Sequence, residues 1–204
     1  MSEKIRKIVV MAMLVAVSIV LVYLIHFPIF PAAPFLEYDP ADIPILIGAF
    51  AYGPVAGLLI TVVAAVIQGL TVSAQSGLYG VIMHIIATGV LVLVAGGIYR
   101  LIHTRGGAII GLVVGTICMG LVMMVANHFI TPVFMGAPTE AVDAMLLPVI
   151  LPFNLIKAGV NSLITFIIYK TISRYIIHGD GWKKKEKAVE TAVSTEEPAA
   201  KTEE

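Results

Sequence analysis

The sequence predicts an all-α membrane protein whose chain crosses the bilayer in six transmembrane helices, with a long ordered first outer loop. Three observations carry that prediction. Of 204 residues, 59% are hydrophobic and 13% charged, against roughly 45–50% and about 25% in soluble domains; mean hydropathy is +0.99. The apolar residues fall in long, nearly charge-free runs, the pattern of membrane-spanning segments. The charges, which sum to a formal net of +0, are segregated along the chain rather than mixed.

The first apolar segment runs from Ile8 to Phe27 behind Lys4, Arg6 and Lys7. It exceeds the ~7–15 residues of a signal-peptide core, and no small-residue cleavage site follows, so it reads as a retained helix. The next stretch, Pro28 to Asp42, holds Pro28, Pro31, Pro34 and Pro40 with Glu37, Asp39 and Asp42. Proline removes backbone donors and disfavours helix in the residue before it, so this is an ordered loop. Ile43 to Tyr52 is a second helix, too short to cross ~30 Å of hydrocarbon alone. Gly53-Pro54 breaks it from a third, Val55 to Leu70.

A small polar loop, Thr71 to Ser76, leads to a fourth helix at Leu78 to Tyr99, whose end is marked by Arg100, His103 and Arg105. A fifth spans Ala108 to Phe129. Ile130 to Met145, with Pro132, Pro138, Glu140 and Asp143, reads as a second long loop. The sixth helix, Leu147 to Ile177, is long enough to tilt. The membrane domain thus occupies 1–182, and 183–204 reads as a disordered cytoplasmic tail, polar and rich in Glu, Lys, Ala and Thr. Cys118, the single cysteine, sits in an apolar run and has no partner for an intramolecular disulfide.

Charge placement orients this threading. With both termini cytoplasmic, Lys4, Arg6, Lys7, Arg100, Arg105, Lys170, Arg174 and Lys183 to Lys185 fall inside, and Glu37, Asp39, Asp42, Glu140 and Asp143 fall outside. That is the positive-inside pattern, with Trp182 at an interface and one exception, Lys157. Gly53/Gly57 and Gly107/Gly111/Gly115 stand four apart, a spacing that reads as packing seams between helices.

Lys157 is the most informative residue. It lies within the sixth helix, about 15 Å below the outer end by the helical rise. An ionisable group there costs about 2.5–3.5 kcal/mol on insertion scales and marks a functional site by default. Asn154 and Asn161 lie three residues before and four after it, on the same face. Two readings stand: the stripe lines a ligand cavity, or Lys157 snorkels and the amides bond across helices. The cavity is the favoured one, with Asn127 supplying another amide at similar depth.

Amides offer acceptors and donors and Lys only donors, a set suited to a flat heterocycle with alternating N–H and C=O groups. Phe35, Tyr38, Tyr79, Met83, Phe129 and Phe153 supply apolar walls; singly each reads as packing, and only their neighbourhood makes a site. The outer loops carry acids and no Lys or Arg, so Lys157 stands as the one outward cation and a neutral or cationic ligand is expected. An apolar replacement of Lys157 is expected to weaken binding and leave the fold intact. No phosphate-binding loop, H-E-x-x-H or G-x-S-x-G occurs. His84 and His128 have no ligand-spaced partners and read as core or cavity histidines. The chain reads as a binding subunit, not an enzyme, and one that requires an energising partner.

Phe35-Leu36-Glu37-Tyr38-Asp39-Pro40-Ala41-Asp42-Ile43-Pro44, continued to Phe50 and then Gly53-Pro54-Val55-Ala56-Gly57, resembles the substrate-binding S components of energy-coupling factor (ECF) vitamin transporters. Pro152-Phe153-Asn154-Leu155-Ile156-Lys157 with Asn161-Ser162 resembles that family's sixth helix, and the likeness is nearest to its riboflavin-specific members. It extends over roughly Ile5 to Ile177. The resemblance implies a six-helix bundle with the vitamin near the outer surface, held by the first loop and helices four to six. It implies riboflavin as transported ligand rather than resident cofactor, with Asn127, Asn154 and Lys157 bonding the isoalloxazine and the backbone at Leu36 closing over it. It implies as partners a transmembrane coupling protein and two cytoplasmic ATPases, with Ala12-x-x-x-Ala16 as the docking motif on the first helix. Neutral, flat riboflavin also suits the reading of the residues; FMN would bring a phosphate to an acidic rim. A thiamin-binding S component is the nearest alternative, and a membrane-embedded enzyme or structural membrane protein a more distant one.

Overall fold

The computed structural model describes residues 2–31 and 33–172. Among them the main helices are α1 (Glu3–Leu24), α2 (Asp42–Tyr52), α3 (Pro54–Leu70), α4 (Gly77–Leu101), α5 (Arg105–Met135) and α7 (Leu151–Ile172). A short α6 (Thr139–Met145) passes through a π turn at Leu146–Ile150 directly into α7. Four stretches, α1, Ala74–Leu101, α5 and Thr139–Tyr169, are long and apolar enough to cross a membrane; α2 and α3 are shorter apolar helices. The six-helix architecture stands. The end of the sixth segment near Ile177, with Arg174, Trp182 and the lysine cluster, lies outside the described residues.

The helices form one bundle in which α4 packs on α3 and α5, α5 on α7, and α2 on α1, α3, α4 and α7. α2 is its axis: every residue from Asp42 to Phe50 is buried. Gly53, at φ 94°, makes the break before Pro54, a backbone setting that favours glycine. It meets nothing a side chain would touch, so of the expected seam Gly53/Gly57 only Gly57 packs, against Ala49 and Val92. Gly111 and Gly115 do form a seam, lying against the backbone of α4 at Ala95 and Leu91.

α5 shows how a helix apolar all round is still sorted. Gly111, Gly115, Met119, Met123 and Asn127 follow one another every fourth residue and are buried. Val113, Ile117, Leu121 and Val125, also four apart, are each at least 50% exposed. Small, flexible and amide side chains turn inward, and branched aliphatic ones face outward, where the surroundings are lipid.

One expectation is corrected. α5 does not end near Phe129 but continues through Pro132 to Met135, and stops at Gly136 in the left-handed region (φ 62°). Pro132 falls close enough to the C-terminus that its missing N–H disturbs little before the helix ends. Much of the expected loop from Ile130 to Met145 is therefore helix. The first loop is ordered, as expected. Its ends are tied by a two-residue antiparallel pairing of β1 (Phe27–Pro28) with β2 (Glu37–Tyr38). Its middle is pinned by Ala33 and Leu36, which pack with Val142, Ile150 and Phe153 in a small apolar cluster of their own.

Candidate functional site

At this end of the bundle a cavity opens beneath the first loop. On the measure by which one water needs about 10–15 Å³, the cavity holds about 170 Å³, room for a ligand of several rings rather than for an ion. Leu36, Glu37 and Asp39 roof it, Gln68 on α3 and Met83, His84 and Thr88 on α4 line one side, and Met119, Met123, Asn127, Phe153, Asn154 and Lys157 line the other. Phe35, Tyr79 and Phe134 form an aromatic corner, with Phe134 6.5 Å from Phe35 and 5.9 Å from Tyr79 between ring centres.

The two asparagines are set by the same local device. Asn127 donates to the Met123 carbonyl at 2.7 Å, and Asn154 donates to the Ile150 carbonyl at 2.8 Å, each one turn back on its own helix. This fixes the side-chain rotamer against the helix and leaves the second N–H for a ligand. Thr131 donates to the Asn127 oxygen at 2.8 Å, which further sets that amide. Pro148 and Pro152 bracket the last part of the π turn, where two missing backbone donors suit a widened ring, and Phe153, Asn154 and Lys157 follow directly on the cavity wall.

Lys157 is not free. Its Nζ donates to Asp39 Oδ2 at 2.6 Å, and both side chains are 12% exposed. The Ala41 N–H donates to the other Asp39 oxygen at 3.0 Å. Burial alone would push the Asp39 carboxyl up, but Lys157, His84 and the two hydrogen bonds outweigh it and hold it below the usual carboxylate range. Deeper in, Asn161 donates to the Asp39 carbonyl at 3.0 Å and to Asp42 Oδ2 at 2.9 Å. Thr88 donates to Asp42 Oδ1 at 2.6 Å, and Tyr38 donates to the Asn161 oxygen at 3.0 Å. Asp42 opens α2, where a carboxylate also meets the positive end of the helix dipole. Burial, with Asp39 and Asp42 nearby, pushes the Tyr38 hydroxyl up, so it stays a neutral donor.

Of the residues singled out from sequence, Leu36, Tyr79, Met83, Asn127, Phe153, Asn154 and Lys157 line one cavity. Tyr38 and Asn161 do not: they bond each other and tie the loop to α7 behind the cavity wall. Phe129, 68% exposed, faces away. The picture of Asp39 and Asp42 as an acidic rim is corrected, since both are buried and bonded inward. Lys157, read from sequence as the one outward cation, is half of an ion pair. Sequence reasoning also passed over Gln68 and Thr88 as lining residues. A sign was available for Asp39: a lysine deep in an apolar helix needs a carboxylate, and its own helix has none.

Comparisons with known proteins identify the family. Residues 6–169 match the family described as the ECF transporter substrate-specific component. The chain is 30% identical over 182 residues to the riboflavin transporter FmnP of Bacillus subtilis (strain 168), covering 85% of this chain and 95% of that one. It is 28% identical over 177 residues to the riboflavin transporter RibU of Staphylococcus aureus (strain TCH60), covering 84% and 92%. A solved S component of a bacterial ECF transporter superposes with a TM-score of 0.75 at 27% identity, over 84% of this chain and 98% of that one. A bundle of apolar helices, a loop-roofed cavity with both polar and apolar lining, and a family match over residues 6–169 lead to one conclusion: this multi-pass membrane protein belongs to the substrate-specific components of the ECF transporters.

Proposed function

We propose that this chain captures riboflavin at the outer face of the membrane and delivers it across together with a transmembrane coupling protein and two cytoplasmic ATPases. The observation that carries the ligand is the cavity itself. Asn127, Asn154 and Lys157 present hydrogen-bonding groups from one wall, while Leu36, Met83, Phe153 and the aromatic corner supply apolar faces. Such a mixture suits a flat ring system with a donor–acceptor edge. The relatives' naming as riboflavin transporters supports the same choice.

Charge favours riboflavin over FMN by a route that differs from an acidic rim. Asp39 already neutralises Lys157, and Glu37 adds a second carboxylate to the lining, so a phosphate meets no spare cation there. The orientation follows from the positive-inside pattern of Lys4, Arg6, Lys7, Arg100 and Arg105, which puts both termini in the cytoplasm and the loop-roofed end outside. Docking is assigned to Ala12 and Ala16, exposed on α1 one turn apart, where small side chains let another helix approach.

Titration of the purified protein tests the ligand. Bound riboflavin should lose fluorescence as its ring leaves water, and protein purified from riboflavin-fed cells should be yellow. Thiamin binding without flavin binding would overturn the reading.

A further inference from the structure

Two buried side-chain nitrogens lack a hydrogen-bond partner among the described residues, and both belong to the cavity lining: Gln68 Nε2 and His84 Nε2. Gln68 is only 3% exposed, at the end of an apolar helix where nothing in the packing calls for an amide. A buried polar group left unpaired carries its full desolvation cost, so it is retained where something pairs with it. The two are brought to one region by the α3–α4 contact, which is very close here: a side chain at Gly69 would meet Val81. Gln68 precedes Gly69, and His84 lies one turn beyond Val81 on α4, so both residues line the cavity from α3 and α4, whereas Asn127, Asn154 and Lys157 line it from α5 and α7.

The cavity therefore carries unpartnered polar side chains on α3 and α4 as well as the amides and Lys157 on α5 and α7, and the ligand proposed above has two polar parts. We infer that Gln68 and His84 receive the hydroxyl chain of the flavin, while the amides and Lys157 take the edge of its ring. The assignment rests on the flavin reading and extends the binding residues to α3. The chemistry fits in a specific way. An amide offers both donors and an acceptor, and a neutral imidazole offers one of each, whichever tautomer it holds. A hydroxyl donates and accepts, so it satisfies either group; an aromatic carbon or a methyl satisfies neither. Ser73 and Ser76, in the loop joining α3 to α4, continue the same lining with more hydroxyl groups.

The test compares riboflavin with lumiflavin, which has the same ring and a methyl in place of the hydroxyl chain, on the full-length protein. Titrations are made with the unaltered protein, with Gln68→Met and with His84→Phe, which keep side-chain size. Each variant should weaken riboflavin about ten-fold, the loss of one hydrogen bond from a dehydrated site, and leave lumiflavin affinity unchanged. Retained lumiflavin binding also shows that the variant is folded; if Gln68→Met does not stay monodisperse, Gln68→Asn shortens the reach instead. Equal losses for both flavins in a monodisperse variant, or no loss for either, would overturn the assignment while leaving the flavin reading intact. Unaltered protein that binds neither flavin would overturn both.

Discussion

Asp39 in the first loop and Lys157 on α7 meet at 2.6 Å across 118 residues of chain. The contact joins the roof of the cavity to its wall, and it changes what a substitution does. Lys157→Met strands a largely buried carboxylate, which costs about 3 kcal/mol when a buried pair is broken from one side. It should lower the thermal midpoint in detergent as well as riboflavin affinity, against the sequence expectation of an intact fold. Asp39→Asn with Lys157→Met removes both charges and should recover most of the midpoint but not the affinity. Equal midpoints for the single and double variants would show that the pair contributes no coupling.

The pair also sets a pH dependence with a definite sign. Asp39 is held below its usual range of about 3.8, so the stability it adds is fully present above that value and is lost as pH falls through the depressed one. Riboflavin affinity, measured by titration from about pH 8 to about pH 5, should therefore show no loss attributable to this carboxylate. A steep fall already near pH 6 would contradict that assignment.

The α4–α5 seam predicts a contrast between two glycines. At Gly111 an added Cβ would lie 2.8 Å from the Ala95 carbonyl oxygen, whereas at Gly97 it would meet nothing within 4 Å. Gly111→Ala should destabilise by about 1–3 kcal/mol, because backbone must move. Gly97→Ala should be neutral or stabilising by up to about 1 kcal/mol, through helix propensity. Midpoints from the two variants check this directly, and an indifferent Gly111→Ala would mean that the helices are not in contact there.

What the sequence could and could not disclose follows from how far each feature reaches. Helix count, the Gly53-Pro54 break and the shared face of Asn154 and Lys157 depend on neighbours within a turn or two, so periodicity and breakers reveal them. The partner of Lys157 depends on where a proline-rich loop folds back, and no local pattern encodes that. For the same reason Asp39 and Asp42 read as surface acids, although the chain buries them against Lys157, Thr88 and Asn161. Pro132 misled in the other direction: as a breaker it argued for a loop, while its place near the end of α5 let the helix run on to Met135. Gln68 was passed over because one amide in an apolar run has no period to stand out from.

Ligand choice should separate by charge. FMN differs from riboflavin by a phosphate, and the site has Glu37 and a neutralised Lys157 to offer it. FMN should bind at least about ten-fold more weakly. Competition titration monitored by fluorescence provides the comparison, and equal or tighter FMN binding would refute the charge argument.

Docking should separate from binding. Ala12→Trp with Ala16→Trp fills the exposed small-residue groove on α1 and would hold a partner helix away. Riboflavin titration should stay nearly unchanged, while co-purification of the coupling complex and ATP-dependent uptake fall. Loss of binding in that variant would mean that this face of α1 packs within the bundle, and full uptake would put the docking surface elsewhere.

α2 has no outward face from Asp42 to Phe50, and α5 has a continuous one along Val113, Ile117, Leu121 and Val125. The two helices therefore differ in how freely their sequences can drift. On α5 every fourth position answers only to lipid, and any branched apolar residue serves. On α2 each position answers to neighbours on every side, so a run of nine residues has no silent site. Spectroscopic labels and cysteine probes belong on the first of these surfaces. Among related chains, the short helix that hydropathy alone would dismiss as too brief to span is where substitutions should be fewest.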